Sequence, residues 1–299
     1  MTTIMWREIG VTLGVIVVMF WNVENLFDSF DDPLKNDNEF LPGAERHWTW
    51  KRFEAKRDGI AQTIVAVADQ TGELPALVGL AEVENRLVVS QLVRKTMLED
   101  LGYGFVHRES PDERGIDVAL LYRKDFFRIV AVDSLRVPGF ATRDILYVCL
   151  APESLHVFVV HLPSKRGGGR ATDERRQAAL QVLGRAVDSL LRIDADSRIL
   201  VMGDFNDTAP RVAGLAAPPP ADPPAAPGTL RYHGRWEQID WFFASPALAD
   251  SARMDVFAPP FLLEPDPSWL GTKPRRTYTG PRYNGGLSDH LPIILQLFP

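Results

Sequence analysis

The sequence is short of three things: cysteine, positive charge, and long apolar runs. A single cysteine, Cys149, among 299 residues excludes an internal disulfide, so the fold is held by its core alone. Lysine and arginine number 33 against 39 aspartates and glutamates, a net charge of −6. That balance excludes a protein that coats nucleic acid through bulk positive charge. It leaves room for an enzyme that meets phosphate locally, through a metal. The longest mostly apolar run, Ile9 to Trp21 behind Arg7, superficially resembles a signal segment but falls short of the roughly 20 residues of a transmembrane helix. Its β-branched stretch Val15-Ile16-Val17-Val18-Met19-Phe20 reads instead as a buried strand. No small-residue cleavage site separates it from Trp21-Asn22-Val23-Glu24-Asn25, so the strand is expected to stay with the chain. Residues 1–10 are expected to form a tail, and the cytoplasm is the expected compartment, with export left open. What the chain has in quantity is apolar residues, 45%, against 24% charged, the composition of a globular protein with one large core.

There is no internal repeat. The one low-complexity stretch, residues 214–228, is rich in alanine and proline. Proline lacks the N–H and fixes φ, so a surface loop inside a single domain, 11–299, is expected there. Residues 46–70 carry Trp50, Phe53, Ile60, Ile64 and Val67 at helical spacing. Residues 87–101 read as a helix stopped by Gly102, and 173–192 as a helix with Thr172 as N-cap. Strand-like runs stand at 76–82, 117–122, 128–132, 145–150, 157–161, 199–202, 239–243 and 292–297. Many strands with three good helices imply packed sheets flanked by helices, not a βα repeat.

The informative pattern is where the polar residues fall. Asn22, Glu82 and His161 end apolar strands, Ile199–Met202 runs into Gly203-Asp204-Phe205-Asn206-Asp207, Asp240 follows Ile239, and Ser288-Asp289-His290 precedes the last strand. One polar strand end reflects only a solvated loop. Six, drawn from Asn, Asp, Glu and His alone, imply a metal and acid/base site. Hard oxygen donors suit Mg²⁺ or Mn²⁺, and no Cys/His spacing suits zinc. A divalent ion would neutralise phosphate charge. A histidine oriented by a carboxylate can take a proton from water near neutral pH.

These motifs resemble the endonuclease/exonuclease/phosphatase superfamily, metal-dependent phosphohydrolases with the deoxyribonuclease I fold. The likeness runs from about Val15 to the C-terminus. It rests on Trp21-Asn22-Val23-Glu24-Asn25, Gly79-Leu80-Ala81-Glu82-Val83, Val160-His161-Leu162-Pro163, Gly203-Asp204-Phe205-Asn206-Asp207, Gln238-Ile239-Asp240 and Ser288-Asp289-His290-Leu291-Pro292, in the family's order. The resemblance implies a four-layer α/β/β/α sandwich, two packed and mainly antiparallel β-sheets with helices outside. It implies Glu82 as principal metal ligand, with Asp289 and Asn22 close to the ion and Asp204 as a further contact. It implies His290 as general base oriented by Asp240. Asp204 and Asn206 would position nucleophile and phosphate, and His161 would bond the phosphate or protonate the leaving group, oriented by Asp117. His161 groups the chain with deoxyribonucleases, sphingomyelinases and inositol phosphatases rather than abasic-site repair members, which carry Asn there. Glu84 departs from the basic residue common at that position in the deoxyribonuclease and repair members. An acid there either supports a second cation or starts the loop before the next helix.

Three basic clusters flank the motifs. Lys51-Arg52 with Lys56-Arg57 is expected to be a solvated helix face. Lys165-Arg166 with Arg170, after His161, and Lys273, Arg275, Arg276 and Arg282, before Ser288, are better placed to hold phosphate oxygens. Trp236 and Trp241, which flank Asp240, read as core rather than as stacking platforms. The leading expectation is a Mg²⁺- or Mn²⁺-dependent phosphodiesterase, a nuclease on DNA or RNA, acting as a monomer without membrane insertion. The alternatives are a phosphatase or phospholipase C-like hydrolase of inositol or lipid phosphates, and an inactive binding module that keeps the fold.

Overall fold

The computed structural model describes residues 15–164 and 169–298; the tail expected over residues 1–10 lies outside them. In chain order the elements are β1 (Ile16–Leu26), α1 (Trp50–Thr71), β2 (Leu77–Val83), α2 (Arg86–Arg94), β3 (Tyr103–His107), β4 (Asp117–Arg123), β5 (Arg128–Leu135), β6 (Ile145–Ala151), β7 (Leu155–His161), α3 (Arg170–Ile193) and β8 (Ile199–Asp204). There follow β9 (Leu230–Tyr232), β10 (Arg235–Glu237), β11 (Asp240–Ala244), the single turn α4 (Pro246–Ala249), β12 (Ala252–Val256), β13 (Leu263–Pro265), β14 (Thr272–Pro274), β15 (Tyr278–Thr279), β16 (Arg282–Tyr283) and β17 (Ile293–Leu297).

The β-branched run near the N-terminus becomes β1, an inner strand of a six-stranded sheet ordered β12-β17-β1-β2-β4-β3. A second sheet runs β11-β8-β7-β6-β5. Antiparallel pairs dominate, and one parallel pair, β1·β2 and β7·β8, sits inside each sheet. The parallel strands are apolar on both faces because both faces are covered. Along β7, Val157 and Val159 belong to the core between the sheets, while Phe158 and Val160 pack with Ala179, Leu183 and Val187 of α3. Phe53, Ile60, Ile64 and Val67 of α1 join the larger core from the other side. The layers are therefore helices, sheet, sheet, helix, the expected α/β/β/α sandwich. Gly79 sets how closely the sheets approach: a Cβ there would lie 2.5 Å from Met202 Sδ.

Several boundaries differ from the sequence reading. The helix expected over 87–101 ends at Arg94, and Gly102, at φ 77°, turns the chain into β3. Strand β3 has a glycine at its second position and no long apolar run to announce it. The helix α3 starts before Thr172, at Arg170, with Gly169 in the N-cap position. The Ala/Pro-rich stretch forms no strand, as its prolines dictate, yet it is not a free surface loop. Ala216 bridges Ala244 at the edge of one sheet, and Ala221 N donates to Met254 O at the edge of the other. One proline-rich segment thus covers the β11 edge and the β12 edge together, leaving neither open to a further strand there.

Candidate active site

Parallel pairing gathers the carboxyl ends of the inner strands at one rim of the sandwich. Asn22 on β1 registers with Ala81, next to Glu82, and His161 on β7 registers with Asp204 on β8. Antiparallel β11 begins at the same rim, with Asp240 opposite Asp204. The chain returns there through Ser288-Asp289-His290 before β17. That return is pinned to the exit of β1: Ser288 Oγ donates to Asn22 O at 2.6 Å, His290 N donates to Ser288 Oγ at 2.9 Å, and Trp21 Nε1 donates to His290 O at 2.9 Å.

The catalytic candidates then meet in pairs, and the first two pairs span the two sheets. Asn22 Nδ2 donates to Asp204 Oδ2 at 3.0 Å. Glu82 Oε1 stands 3.8 Å from His161 Nε2. Asp240 Oδ2 bonds His290 Nδ1 at 2.8 Å. Asn22, Glu82, His161, Asp204 and His290 line a cleft of about 310 Å³, with Asp240 behind His290. Four of its lining residues that are not glycine, Glu24, Asn25, Glu82 and Asn206, hold φ between 46° and 62°. A left-handed backbone costs such residues roughly 1–2 kcal/mol each, a strain typical of functional sites. Local bonds hold them there: Asn25 N donates to Glu82 Oε2 at 2.9 Å, and Asn206 is clamped by its N to Asp204 Oδ1 at 2.8 Å and its Nδ2 to Leu162 O at 2.9 Å.

The two histidines of the cleft are held in opposite states. Burial opposes charge on His290, but Asp240, Asp204 and Asp289 override it and raise its pKa to about 10. Burial drives His161 well below its ordinary value, helped by Arg143, Arg114 and His290. Burial and the neighbouring Asp240 carboxylate lift Asp204 to about 7. Crowded acids of this kind suit a cation. Glu82, Asp204 and Asp289 supply hard oxygens to one wall of the cleft, a donor set fitting Mg²⁺ or Mn²⁺, and positive charge there would oppose the pull that keeps His290 protonated. Asp204, Asp240 and His290 bring ligand-type atoms within 4.8 Å of one another, although Asp240 and His290 are already engaged with each other. The Asn22 side chain ties these groups together: its Oδ1 accepts from Glu24 N at 3.0 Å, while its amide donates to Asp204 and, at 3.4 Å, to Glu82.

Other expected residues fall elsewhere. Asp117 accepts from Ser110 N at 3.1 Å and faces His107 Nε2 at 3.7 Å. No hydrogen bond or ion pair joins it to His161, whose Nδ1 is buried without a partner among the described residues. The cause is position: Asp117 pairs with Val83 beyond the β2 bulge and is drawn to the neighbouring edge strand. Arg276 lines the cleft, bonded to Glu24 Oε1 at 2.6 Å and 3.3 Å from Asp289. Arg275, one residue earlier, points to Asn284 O at 3.3 Å and is not a lining residue. Lys165 and Arg166 lie outside the described residues. The basic face of α1 is not solvated throughout: Lys51 is exposed, but Lys56 and Arg57 are buried. Lys56 Nζ donates to Glu24 O and, at 2.7 Å, to Thr277 Oγ1, and burial lowers its pKa to about 8 against the pull of Glu24. Glu84 is a structural acid, accepting from Asp28 N at 2.6 Å, with burial raising its pKa to about 8. Sequence reasoning missed Glu24, Lys56, Arg114 and Arg143. Among these, Glu24 stands inside a noticed motif and Lys56 inside a basic cluster expected to be solvated, while Arg114 and Arg143 carried no signal.

The chain matches the sequence profile of the Endonuclease/Exonuclease/phosphatase family over residues 17–216 and 224–298. The gap falls within the proline-rich segment. No curated protein sequence matches it. Among solved structures, it is similar to truncated TDP2 from Caenorhabditis elegans at 18% identity and a TM-score of 0.58, covering 95% of this chain and 98% of that one. A mannosyl-6-phosphatase from Bacteroides thetaiotaomicron aligns at 15% identity and a TM-score of 0.59, covering 95% and 100%. The human Nocturnin catalytic domain with bound sulfate aligns at 18% identity and 0.55, covering 95% and 94%. At such identities these neighbours speak for the fold alone.

Proposed function

The chain belongs to the endonuclease/exonuclease/phosphatase family, a family of phosphoric ester hydrolases, and from that premise we propose that it is a divalent-metal-dependent phosphodiester hydrolase acting on DNA or RNA. One observation carries the reading. His290 is fixed by Asp240 at 2.8 Å through Nδ1, and its Nε2 faces the acids of the cleft, 3.9 Å from Asp204 and 4.0 Å from Asp289.

In this reading Asp240 fixes the imidazole's orientation, and Nε2, freed of its proton where the charge of Asp204 and Asp289 is balanced, takes the proton of the attacking water. Asn22 holds Asp204 and Glu82 apart, and Asn206, clamped between Asp204 and Leu162, turns toward the phosphate. His161, neutral because it is buried, offers Nε2 to a phosphate oxygen or to the departing group. A divalent ion on Glu82 and Asp289 would supply charge neutralisation of the phosphate and of the leaving oxygen. The contacts Asn22–Asp204 and Glu82–His161 cross between the sheets, so the water-activating and phosphate-holding halves are brought together by core packing.

Plasmid DNA, RNA, bis(p-nitrophenyl) phosphate and p-nitrophenyl phosphate, each with Mg²⁺, Mn²⁺ or EDTA, test the proposal. Diester cleavage that stops in EDTA and returns with metal is expected. Turnover undiminished in EDTA would remove the metal from the mechanism. Cleavage of the monoester alone would move the reading to a phosphatase, and hydrolysis of no ester with ligand binding retained would leave a binding module.

A further inference from the structure

The wall of the cleft beside His161 is made of arginine. Arg114 and Arg143 both line it, and both lower the pKa of His161 through their charge. One short loop organises them. Asp112 Oδ1 accepts from Arg114 N at 3.0 Å, and Asp112 Oδ2 stands 3.5 Å from Arg143 Nε. Lys35 Nζ ties that loop down by donating to Ser110 O at 3.0 Å and Asp112 O at 2.9 Å.

The two guanidinium groups are satisfied to very different degrees. Arg114, at the exposed rim, donates through Nη2 to Asn25 Oδ1 at 2.6 Å. The Arg143 side chain is only 10% exposed, and its Nε is buried with no hydrogen-bond partner among the described residues. A guanidinium carries five donors in a fixed fork. Burying that charge beside one carboxylate at 3.5 Å is costly unless a further acceptor completes it. Its Nε is turned to Asp112, so an acceptor in the cleft meets the remaining guanidinium nitrogens, and a phosphate, which takes a guanidinium through two parallel bonds, matches them.

We propose that Arg114 and Arg143 form an anion site that holds a second phosphate group next to the scissile one. This rests on the phosphodiesterase reading above and narrows its substrate class. An internal diester brings one negative charge, already met by His161 and the metal-binding acids' cation. Two further guanidinium groups suit a substrate that carries a terminal phosphate monoester beside the cleaved bond, such as the phosphorylated end of a short oligonucleotide. Arg276 is not part of this site, since Glu24 and Asp289 already engage it.

Two measurements separate this inference from the reading it builds on. In EDTA, where no ester is cleaved, inorganic phosphate is titrated against the wild-type protein and the Arg114→Ala, Arg143→Ala and Arg143→Lys variants. Binding weakened at least tenfold by each alanine variant, and only partly restored by lysine, is the expected result. Lys51→Ala, at an exposed lysine on α1, serves as the control. With Mg²⁺, a dinucleotide bearing a 5′-phosphate is compared with the same dinucleotide lacking it. The loss of kcat/KM in Arg114→Ala is expected to be at least tenfold larger for the phosphorylated substrate, through KM. Equal losses on the two substrates, or phosphate binding indifferent to both arginines, would overturn the site. If the wild-type cleaves neither dinucleotide, the phosphodiesterase reading fails and the phosphate titration still decides the anion site. Arg114→Ala sits at the rim, so it decides the outcome even if Arg143→Ala does not fold.

Discussion

The His290–Asp240 pair at the cleft and the His107–Asp117 pair between β3 and β4 are made of the same two side chains, both buried. Their surroundings drive them to opposite charge states. His290 is hydrogen-bonded to Asp240 at 2.8 Å, and Asp204 and Asp289 add negative charge, so its pKa rises to about 10 although burial opposes it. His107 stands 3.7 Å from Asp117, too far for a hydrogen bond. Burial and the Arg86 charge lower it to about 4, while burial above all, with Glu109, raises Asp117 to about 7. In the second pair burial favours the neutral form of each partner. A carboxylate near an imidazole does not by itself hold a proton on the ring: a hydrogen bond at contact distance and a surplus of acid around it do.

Replacing the imidazole at each place breaks the comparison most strongly. His290→Ala is expected to lower diester turnover by about 10²–10⁴, the range of a general base, with a folded circular-dichroism spectrum retained. His107→Ala, outside the cleft, is expected to lower the unfolding midpoint and leave turnover per folded molecule close to wild-type. If both variants lose turnover alike, the pairs are not functionally distinct.

Asp240→Asn keeps the shape of the active pair and removes its charge. Turnover is expected to fall by about 10²-fold, the lower end of the same range, and single-turnover kinetics would place the loss in the chemical step. A variant that loses only substrate affinity would assign Asp240 to binding instead.

The smallest effect sharpens the neutral pair. His107 has a folded pKa of about 4 against an ordinary 6.5. Its contribution to stability is present above about pH 6.5 and lost as pH falls toward 4. Asp117 has a folded pKa of about 7 against an ordinary 3.8. Its contribution is present below about pH 4 and lost as pH rises toward 7. Between about pH 4 and 6.5 the two slopes oppose each other, so the wild-type pair is nearly silent. Asp117→Asn leaves the histidine's slope, and stability relative to wild-type rises with pH across that window. His107→Asn leaves the aspartate's slope, and stability falls with pH. Each slope is at most about 1.4 kcal/mol per pH unit, and urea unfolding at half-unit intervals resolves it. Parallel slopes in both variants would show that the partners titrate as one group.

The fold was legible because it follows from periodicity. The runs that became β1, β2, β7 and β8 are apolar at every position, which only strands covered on both faces require, and their polar ends named the rim of the cleft. What stayed hidden was placed by tertiary contact. Lys56 stands in a helix rich in Lys and Arg, where nothing local marks the one residue that turns inward to Glu24. Arg114 and Arg143 have acidic neighbours, Glu113 and Asp144, and look like ordinary solvated loops. Their convergence on His161 depends on the turn between Ser110 and Asp117, which carries Arg114 and meets Arg143 through Asp112. Asp117 was expected beside His161, and instead the bulge after Ala81 carries it toward His107. Register shifts of that kind leave no compositional mark.

The pairs Asn22–Asp204 and Glu82–His161 each have one partner on either sheet, His290 meets Asp240 from the segment that leads into β17, and Gly79 stands against Met202 in the gap those sheets keep. The thickness of the hydrophobic core is thus itself a dimension of the cleft. A methyl group added at Gly79 works like a shim, pressing on Met202 and Phe20 without touching any of the three pairs. Neither sheet carries a fragment of the site that could function alone, so a refolding chain recovers turnover only when the two halves have closed on each other to their final spacing.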